Sequence, residues 1–152
     1  MILNKKVGVF LNLVHCRFKL YLSTIFQDNG FDITPEQFLV LDTLWDDGVQ
    51  SQQEIADKIQ KDKNSVTKLI DALEKKNYVK RSQDKQDRRL NLINITDEGL
   101  KIKDAVTKIA MEATNIIIRD IPLEDLYTFI RVAEKMLDNM VIKKNQIKWE
   151  NY

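Results

Sequence analysis

The chain has 152 residues, 43% of them hydrophobic and 31% charged, with a single cysteine, Cys16; that suits one domain, with or without appended helices, that buries its own core, and it excludes an internal disulfide framework. No apolar run reaches the ~20 residues of a membrane helix, and the opening stretch MILNKKVGVFLNLV has no small-residue cleavage site, so a cytoplasmic protein is expected rather than a membrane or secreted one. The net charge of +1 conceals an uneven distribution: residues 1–22 carry four basic and no acidic groups, 23–57 eight acidic and no basic ones, and 61–89 ten basic against five acidic. A basic segment this concentrated fits a polyanion-binding face, and equally a solvated lysine-rich helix.

Four glycines and two prolines leave few breaks, so the chain reads as mostly helical. The first helix is predicted over residues 5–27, where Val7, Phe10, Leu11, Val14, Phe18, Tyr21, Leu22, Ile25 and Phe26 recur in steps of three and four before Asn29-Gly30 ends the pattern. Thr34-Pro35-Glu36-Gln37 is a capping box with proline at the first helical position, and Asp46-Asp47-Gly48 stops the helix it opens. Ser51-Gln52-Gln53-Glu54 is a second capping box, opening a short helix that buries Ile55, Ala56 and Ile59. After a polar link, Gln60 to Lys63, a helix is predicted over 63–76 with Val66, Leu69, Ile70 and Leu73 inward. Asn77 follows, a residue that tolerates the left-handed conformation past a helix end. Residues 78–81 and 90–95 read as strands joined by the wholly polar Ser82 to Arg89. Thr96-Asp97-Glu98 then opens a long helix to about Arg119, and after Pro122 a last helix carries Leu126, Phe129, Ile130, Ala133, Met136, Leu137, Met140 and Val141, with a frayed tail from Lys143.

Two short helices joined by a tight polar link, the second exposing small polar and basic side chains, read as a helix-turn-helix. Such a helix must bury one face on its own domain and present the other to a major groove about 12 Å wide. Lys63, Asn64, Ser65, Thr67 and Lys68 meet that need: asparagine can pair with adenine, lysine with guanine, and serine or threonine with either. The helix start at Ser51 and Gln52 offers amide groups to a phosphate. The hairpin that follows reads as a wing. Lys85, Arg88 and Arg89 lie in its loop, where an arginine can reach a minor groove, and Asp87 is placed to orient one of them. A plain solvated hairpin remains the alternative.

These stretches resemble the MarR-type winged-helix transcription regulators. The resemblance is carried by SVTKLIDALEKKNYVKR at 65–81 and DKQDRRLNLINITDEG at 84–99, with the wing arginines Asp87-Arg88-Arg89 and the helix start Ile95-Thr96-Asp97-Glu98-Gly99. Asn77 stands where the family usually has glycine, and Leu90 where a small residue often follows the arginine. The resemblance implies a mostly α fold with a small β-hairpin wing. It places an N-terminal dimerisation helix at 1–30, a winged helix-turn-helix at 31–96 and C-terminal dimerisation helices at 97–152. It also implies a cytoplasmic homodimer, a repressor of double-stranded DNA at a pseudo-palindromic operator, released by a small phenolic or other aromatic effector. The apolar stripes of the first and last helices independently suggest an interface. A two-fold dimer would set its recognition helices about 34–36 Å apart.

Some members of the family use an oxidisable cysteine in the first helix, which makes Cys16 the residue to weigh for redox sensing, with an inert buried thiol as the alternative. His15, Tyr21 and Trp45 could line an effector pocket or belong to the core or interface. One histidine and one cysteine leave too few ligands for zinc, and no cofactor or metal is expected. The chain has no glycine-rich phosphate loop and no nucleophile elbow, so no enzyme is expected. A winged helix used for protein–protein contact without DNA is the remaining class.

Overall fold

Local signals set most of the element boundaries. The computed structural model describes residues 2–140; the tail expected from Lys143 and the apolar position Val141 lie outside them. Helix α1 runs Leu3–Asp28. Only its C-terminal end is buried, through Leu22 and Phe26, while Phe10, Val14 and Phe18 stay exposed. Helix α2, Pro35–Asp47, begins at the expected capping box: the Gln37 amide donates to Thr34 Oγ1 at 3.1 Å and the Thr34 amide to Gln37 Oε1 at 3.2 Å. It ends at Gly48, whose φ of 74° an L side chain would rarely adopt.

Strand β1 is two residues, Gln50–Ser51, and helix α3 is Gln52–Lys58, capped reciprocally by Ser51 and Glu54. Helix α4, Lys63–Lys75, is capped by Asp62, whose carboxylate accepts the Ser65 amide at 3.0 Å. Asn77 takes φ 59° at the turn into the hairpin, the left-handed conformation its side chain tolerates.

Strands β2 (Val79–Gln83) and β3 (Asn91–Ile95) pair antiparallel, Arg81 opposite Ile93, and β1 pairs with the other side of β3, giving the order β1-β3-β2. Flanked on both sides, β3 buries Ile93 fully, with Leu92 only half-buried. The adjacent apolar pair in the sequence reflects this central place.

The single long helix expected from Thr96 is interrupted. Helix α5 is Asp97–Lys101 and helix α6 is Lys103–Ile117, with one turn residue, Ile102, between them. The Ile102 carbonyl still accepts the Val106 amide at 3.0 Å, so the break is a change of pitch rather than a loop. Helix α7 is Leu123–Asn139 and follows Pro122.

The residues up to Thr114 form one compact unit and those from Asn115 a second. In the first, Phe26, Val40, Leu41, Leu44, Ile55, Val66, Ile70, Leu73, Val79, Ile93 and Val106 are inaccessible to solvent, so α1, α2, α3, α4, the sheet and α6 share one core. Phe38 connects Phe26 and Trp45, with ring centroids 5.5 and 6.3 Å away, in the tilted and edge-on geometries aromatic rings favour. In the second unit α7 buries none of its residues, leaving Leu123, Tyr127, Phe129, Ile130 and Leu137 exposed. Among the described residues no helix is long and apolar enough to cross a membrane.

Candidate nucleic-acid interface

Helix α4 is held by an apolar face, Val66, Ile70 and Leu73, that is wholly buried. Its outer face carries Lys63, Asn64 and Lys68, all exposed. Among the described residues none of these three side chains has a hydrogen-bond or ion-pair partner. The other two polar residues expected to face outward are engaged within the fold. The Ser65 hydroxyl donates to Asp62 Oδ2 at 2.6 Å, and the Thr67 hydroxyl donates to the Lys63 carbonyl at 2.9 Å while accepting from Gln52 Nε2 at 2.5 Å. The hydrogen bonds from the Ser65 hydroxyl and amide hold the Asp62 carboxyl below its ordinary range.

Ser51 departs from expectation too. It is buried, its hydroxyl accepts the Glu54 amide at 3.2 Å, and its own amide donates to Glu54 Oε2 at 2.7 Å. The capping box that identified this helix start therefore removes both Ser51 groups from the surface. Gln52, half-buried, bridges α3 to α4 through Thr67 rather than standing free.

The hairpin is organised by carboxylates. Asp84 Oδ1 accepts the amides of Gln86 at 2.6 Å and Asp87 at 2.9 Å, closing an Asx-type turn at the base of the loop. The amides of Asp87 and Gln86 hold the Asp84 carboxyl below its ordinary range. Asp87 in turn accepts from the Arg89 amide at 3.0 Å and from Arg89 Nε at 3.1 Å. The Arg89 side chain is 92% exposed and so is aimed by Asp87 without being buried. Lys85 and Arg88 are exposed and, among the described residues, have no carboxylate within ion-pair distance. Sequence reasoning missed Asp84, although an aspartate two and three residues before the amides it accepts is the local signature of such a turn.

Two further basic side chains of this segment serve the fold. Lys76 pairs with Asp32 at 3.3 Å and donates to Gln37 Oε1 at 3.2 Å. Arg81 pairs with both Asp71 and Glu74 of α4.

A node of hydrogen bonds fixes the hairpin's exit. Thr96 Oγ1 donates to the Asn77 carbonyl at 2.5 Å and accepts the Gly99 amide at 3.1 Å, and Trp45 Nε1 donates to the Gly99 carbonyl at 3.1 Å. A Cβ on Gly99 would lie 2.3 Å from the Tyr78 carbonyl oxygen, so glycine is required by close approach.

A cavity of about 400 Å³ is lined by His15, Phe18, Lys19, Phe38, Ile59 and Lys61 among others. Lys19 pairs with Glu36 at its wall. Burial pushes the Glu36 carboxyl up, but the Lys19 contact and a backbone hydrogen bond outweigh it and leave it below the ordinary range. Of the three residues weighed for an effector pocket or the core, only His15 lines this cavity. Trp45 is buried in the core with its indole N–H bound to Gly99, and Tyr21 packs against the core away from the cavity. Both were drawn into the core because the apolar faces of α1 and α2 meet there. Cys16 is exposed rather than buried, with its thiol 3.8 Å from Asn12 Oδ1 one turn earlier. No cluster of three or more His, Cys, Asp or Glu side chains suited to a metal occurs among the described residues.

Residues 33–90, which span α2, the helix-turn-helix and the wing up to Leu90, match the profile of the MarR family. Over that stretch the chain is similar to the MarR family. Its relatives include the HTH-type transcriptional regulator PrsX of Escherichia coli, 28% identical over 117 residues, 76% of this chain and 65% of PrsX. The HTH-type transcriptional regulator MhqR of Bacillus subtilis is 37% identical over 68 residues, 45% of this chain and 47% of MhqR. The chain thus spans less than two thirds of the curated relatives it matches. The crystal structure of overoxidised AbfR bound to DNA superposes with a TM-score of 0.74 at 25% identity, covering 91% of this chain and 95% of AbfR. These relatives are regulators rather than enzymes. Against the MarR pattern, Asn77 keeps the left-handed turn that glycine usually supplies, and Leu90 is 43% exposed at the end of the wing loop.

Proposed function

We propose that this chain is a MarR-family transcription regulator that binds double-stranded DNA in a sequence-specific way. The observation that carries the reading is the set of free polar and basic side chains, Lys63, Asn64 and Lys68 on α4 and Lys85 and Arg88 on the wing, displayed by one compact unit, while Lys76 and Arg81 of the same basic segment are held by carboxylates. Asn64 and Lys68 read bases in a major groove, and Arg89, aimed by Asp87, enters the adjoining minor groove. The AbfR structure to which this chain is similar is a complex with DNA.

The finer reading is a cytoplasmic homodimeric repressor. Residues 1–30 and 97–152 are the dimerisation segments that flank, in sequence, a winged helix-turn-helix at 31–96, and α1 and α7 each carry exposed apolar side chains suited to contact with a second copy. Two copies set on successive major grooves call for a pseudo-palindromic operator. A small aromatic effector occupying the cavity beside His15 and Phe18 releases the DNA. A second reading attaches to Cys16, whose exposed thiol is open to oxidation.

The test is a titration of duplex DNA from the chain's own promoter region across a salt series. Affinity that falls steeply with salt supports the reading. Affinity unchanged from low to moderate salt overturns it and leaves a protein–protein module. A mass near 17.8 kDa by ultracentrifugation at micromolar concentration would overturn the homodimer. Peroxide treatment that leaves DNA binding of the wild type unchanged would remove Cys16 as a switch.

A further inference from the structure

The outer side of α4 is not uniformly basic. Asp71 lies three residues after Lys68, one turn along the same face, and Glu74 follows three residues later. Asp71 is therefore carried on the side of the helix that presents Asn64 and Lys68, Glu74 lies at the flank of that side, and both are substantially exposed. Left alone, they would lower the positive potential around Lys68 and repel a phosphate backbone approaching that helix.

Arg81 removes this conflict. Its guanidinium donates from Nη2 to Asp71 Oδ1 at 2.6 Å and from Nη1 to Glu74 Oε2 at 2.5 Å. Its backbone amide donates to the other Glu74 oxygen at 3.1 Å. Strand β2 is the edge of the sheet, so that amide has no partner strand to bind, and Glu74 supplies the missing acceptor. The Arg81 side chain is only 24% exposed, in contrast to the 92% of Arg89. One donor on each terminal nitrogen is engaged, so the fork is occupied by two carboxylates in a geometry that suits guanidinium and not ammonium.

We infer that Arg81 is a positioning residue of the DNA interface, acting through Asp71 and Glu74: it neutralises the carboxylates on the recognition side of α4 so that Lys68 and its neighbours can approach DNA, and it makes no phosphate contact itself. The inference rests on the DNA-binding reading above. It distinguishes Arg81 from the other arginines of the segment, which a reading of charge along the chain would count alike.

The experiment is fluorescence-anisotropy titration of the promoter duplex over about 50 to 200 mM salt, with circular-dichroism melting of each variant. Arg81→Ala is expected to weaken binding on the order of tenfold, because two unscreened carboxylates then face the DNA. The slope of log affinity against log salt is expected to stay at the wild-type value, because no phosphate contact is lost. Adding Asp71→Asn and Glu74→Gln to Arg81→Ala is expected to restore affinity to near wild type. If Arg81 only anchors the wing, the triple variant will bind as poorly as Arg81→Ala, and the inference fails. It fails equally if the slope falls by about one, the mark of a lost phosphate contact.

Should Arg81→Ala not fold, Asp71→Asn with Glu74→Gln in the wild-type background decides the matter. Neutralisation predicts stronger binding, and weaker binding overturns it. Wild-type protein that shows no salt-dependent binding at all would overturn the DNA reading instead, so the two failures are distinct.

Discussion

Trp45 Nε1 donates to the carbonyl oxygen of Gly99 across 54 residues of chain, at 3.1 Å. The bond ties α2, at the front of the helix-turn-helix, to the first turn of α5, just past the wing. It works only because Gly99 lets the backbone of α5 close onto the Tyr78 carbonyl. Gly99→Ala is therefore expected to destabilise the fold by roughly 1–3 kcal/mol, the usual cost of overpacking. Trp45→Phe should cost a further, separable amount of about 1–3 kcal/mol by orphaning the Gly99 carbonyl. Urea unfolding of each variant measures both; a Gly99→Ala midpoint equal to wild type would show that the backbone relaxes freely.

The wing's aim depends on a carboxylate. Asp87→Asn removes a negative charge from a DNA-binding surface, which by charge alone should strengthen binding. Because Asp87 orients Arg89 through three of its donors, the expected result is weaker binding, with the base preference under α4 unchanged. Arg89→Ala should do the same and also reduce the salt slope by about 0.9 for the lost phosphate-side charge. Salt-series titrations of both variants check this, and an Asp87→Asn gain in affinity would show that Arg89 needs no guide.

Base preference should separate the free from the engaged polar residues of α4. Asn64→Ala and Lys68→Ala are each expected to relax discrimination at one base pair by about 1–3 kcal/mol. Ser65→Ala and Thr67→Val should leave the preferred sequence unchanged, since both hydroxyls already bond within the protein. Selection of bound duplexes from a random pool reads all four; a shifted consensus for Ser65→Ala would mean that its hydroxyl leaves Asp62 on binding.

Acid should act through two opposing kinds of carboxylate. Asp62, Asp84 and Glu54 have folded pKa values below their ordinary ones, so their stabilisation is complete above the unfolded pKa and is lost as pH falls through the folded value, below the ordinary 3.8 of Asp and 4.5 of Glu. Asp42 is the reverse. Burial, with Asp46 adding repulsion and Lys103 opposing, raises its pKa, so its charged form opposes folding at neutral pH and protonation relieves it. Asp42→Asn is expected to raise the neutral-pH melting temperature modestly, the gain vanishing below about pH 3.8. Melting curves from pH 7 to 3 decide; a gain that persists undiminished in acid would assign it to packing.

What lay within a few residues along the chain was legible in the sequence. The capping boxes Thr34–Gln37 and Ser51–Glu54, the left-handed Asn77, the Asp87–Arg89 pair and the buried face of α4 are all local, because caps, turns and helical faces are set by spacings of two to four residues. Their consequences were less visible. The cap that marks Ser51 also buries it, and the break at Ile102 falls inside an uninterrupted apolar pattern.

Tertiary structure decided which polar groups remain free. Ser65 looked like a base reader until Asp62 accepted its hydroxyl, Thr67 until Gln52 reached it from fifteen residues away, and Arg81 looked like Arg88 until Asp71 and Glu74 enclosed it. For Trp45, too, packing chose the core over the pocket. A linear charge count cannot make these distinctions, because whether a cation or a hydroxyl faces DNA depends on the partners that folding brings within hydrogen-bond reach. The chain's residues supplied a basic segment and a helix-turn-helix; the packing of β2 against α4 and of α3 beside it determined which of those side chains are left to bind.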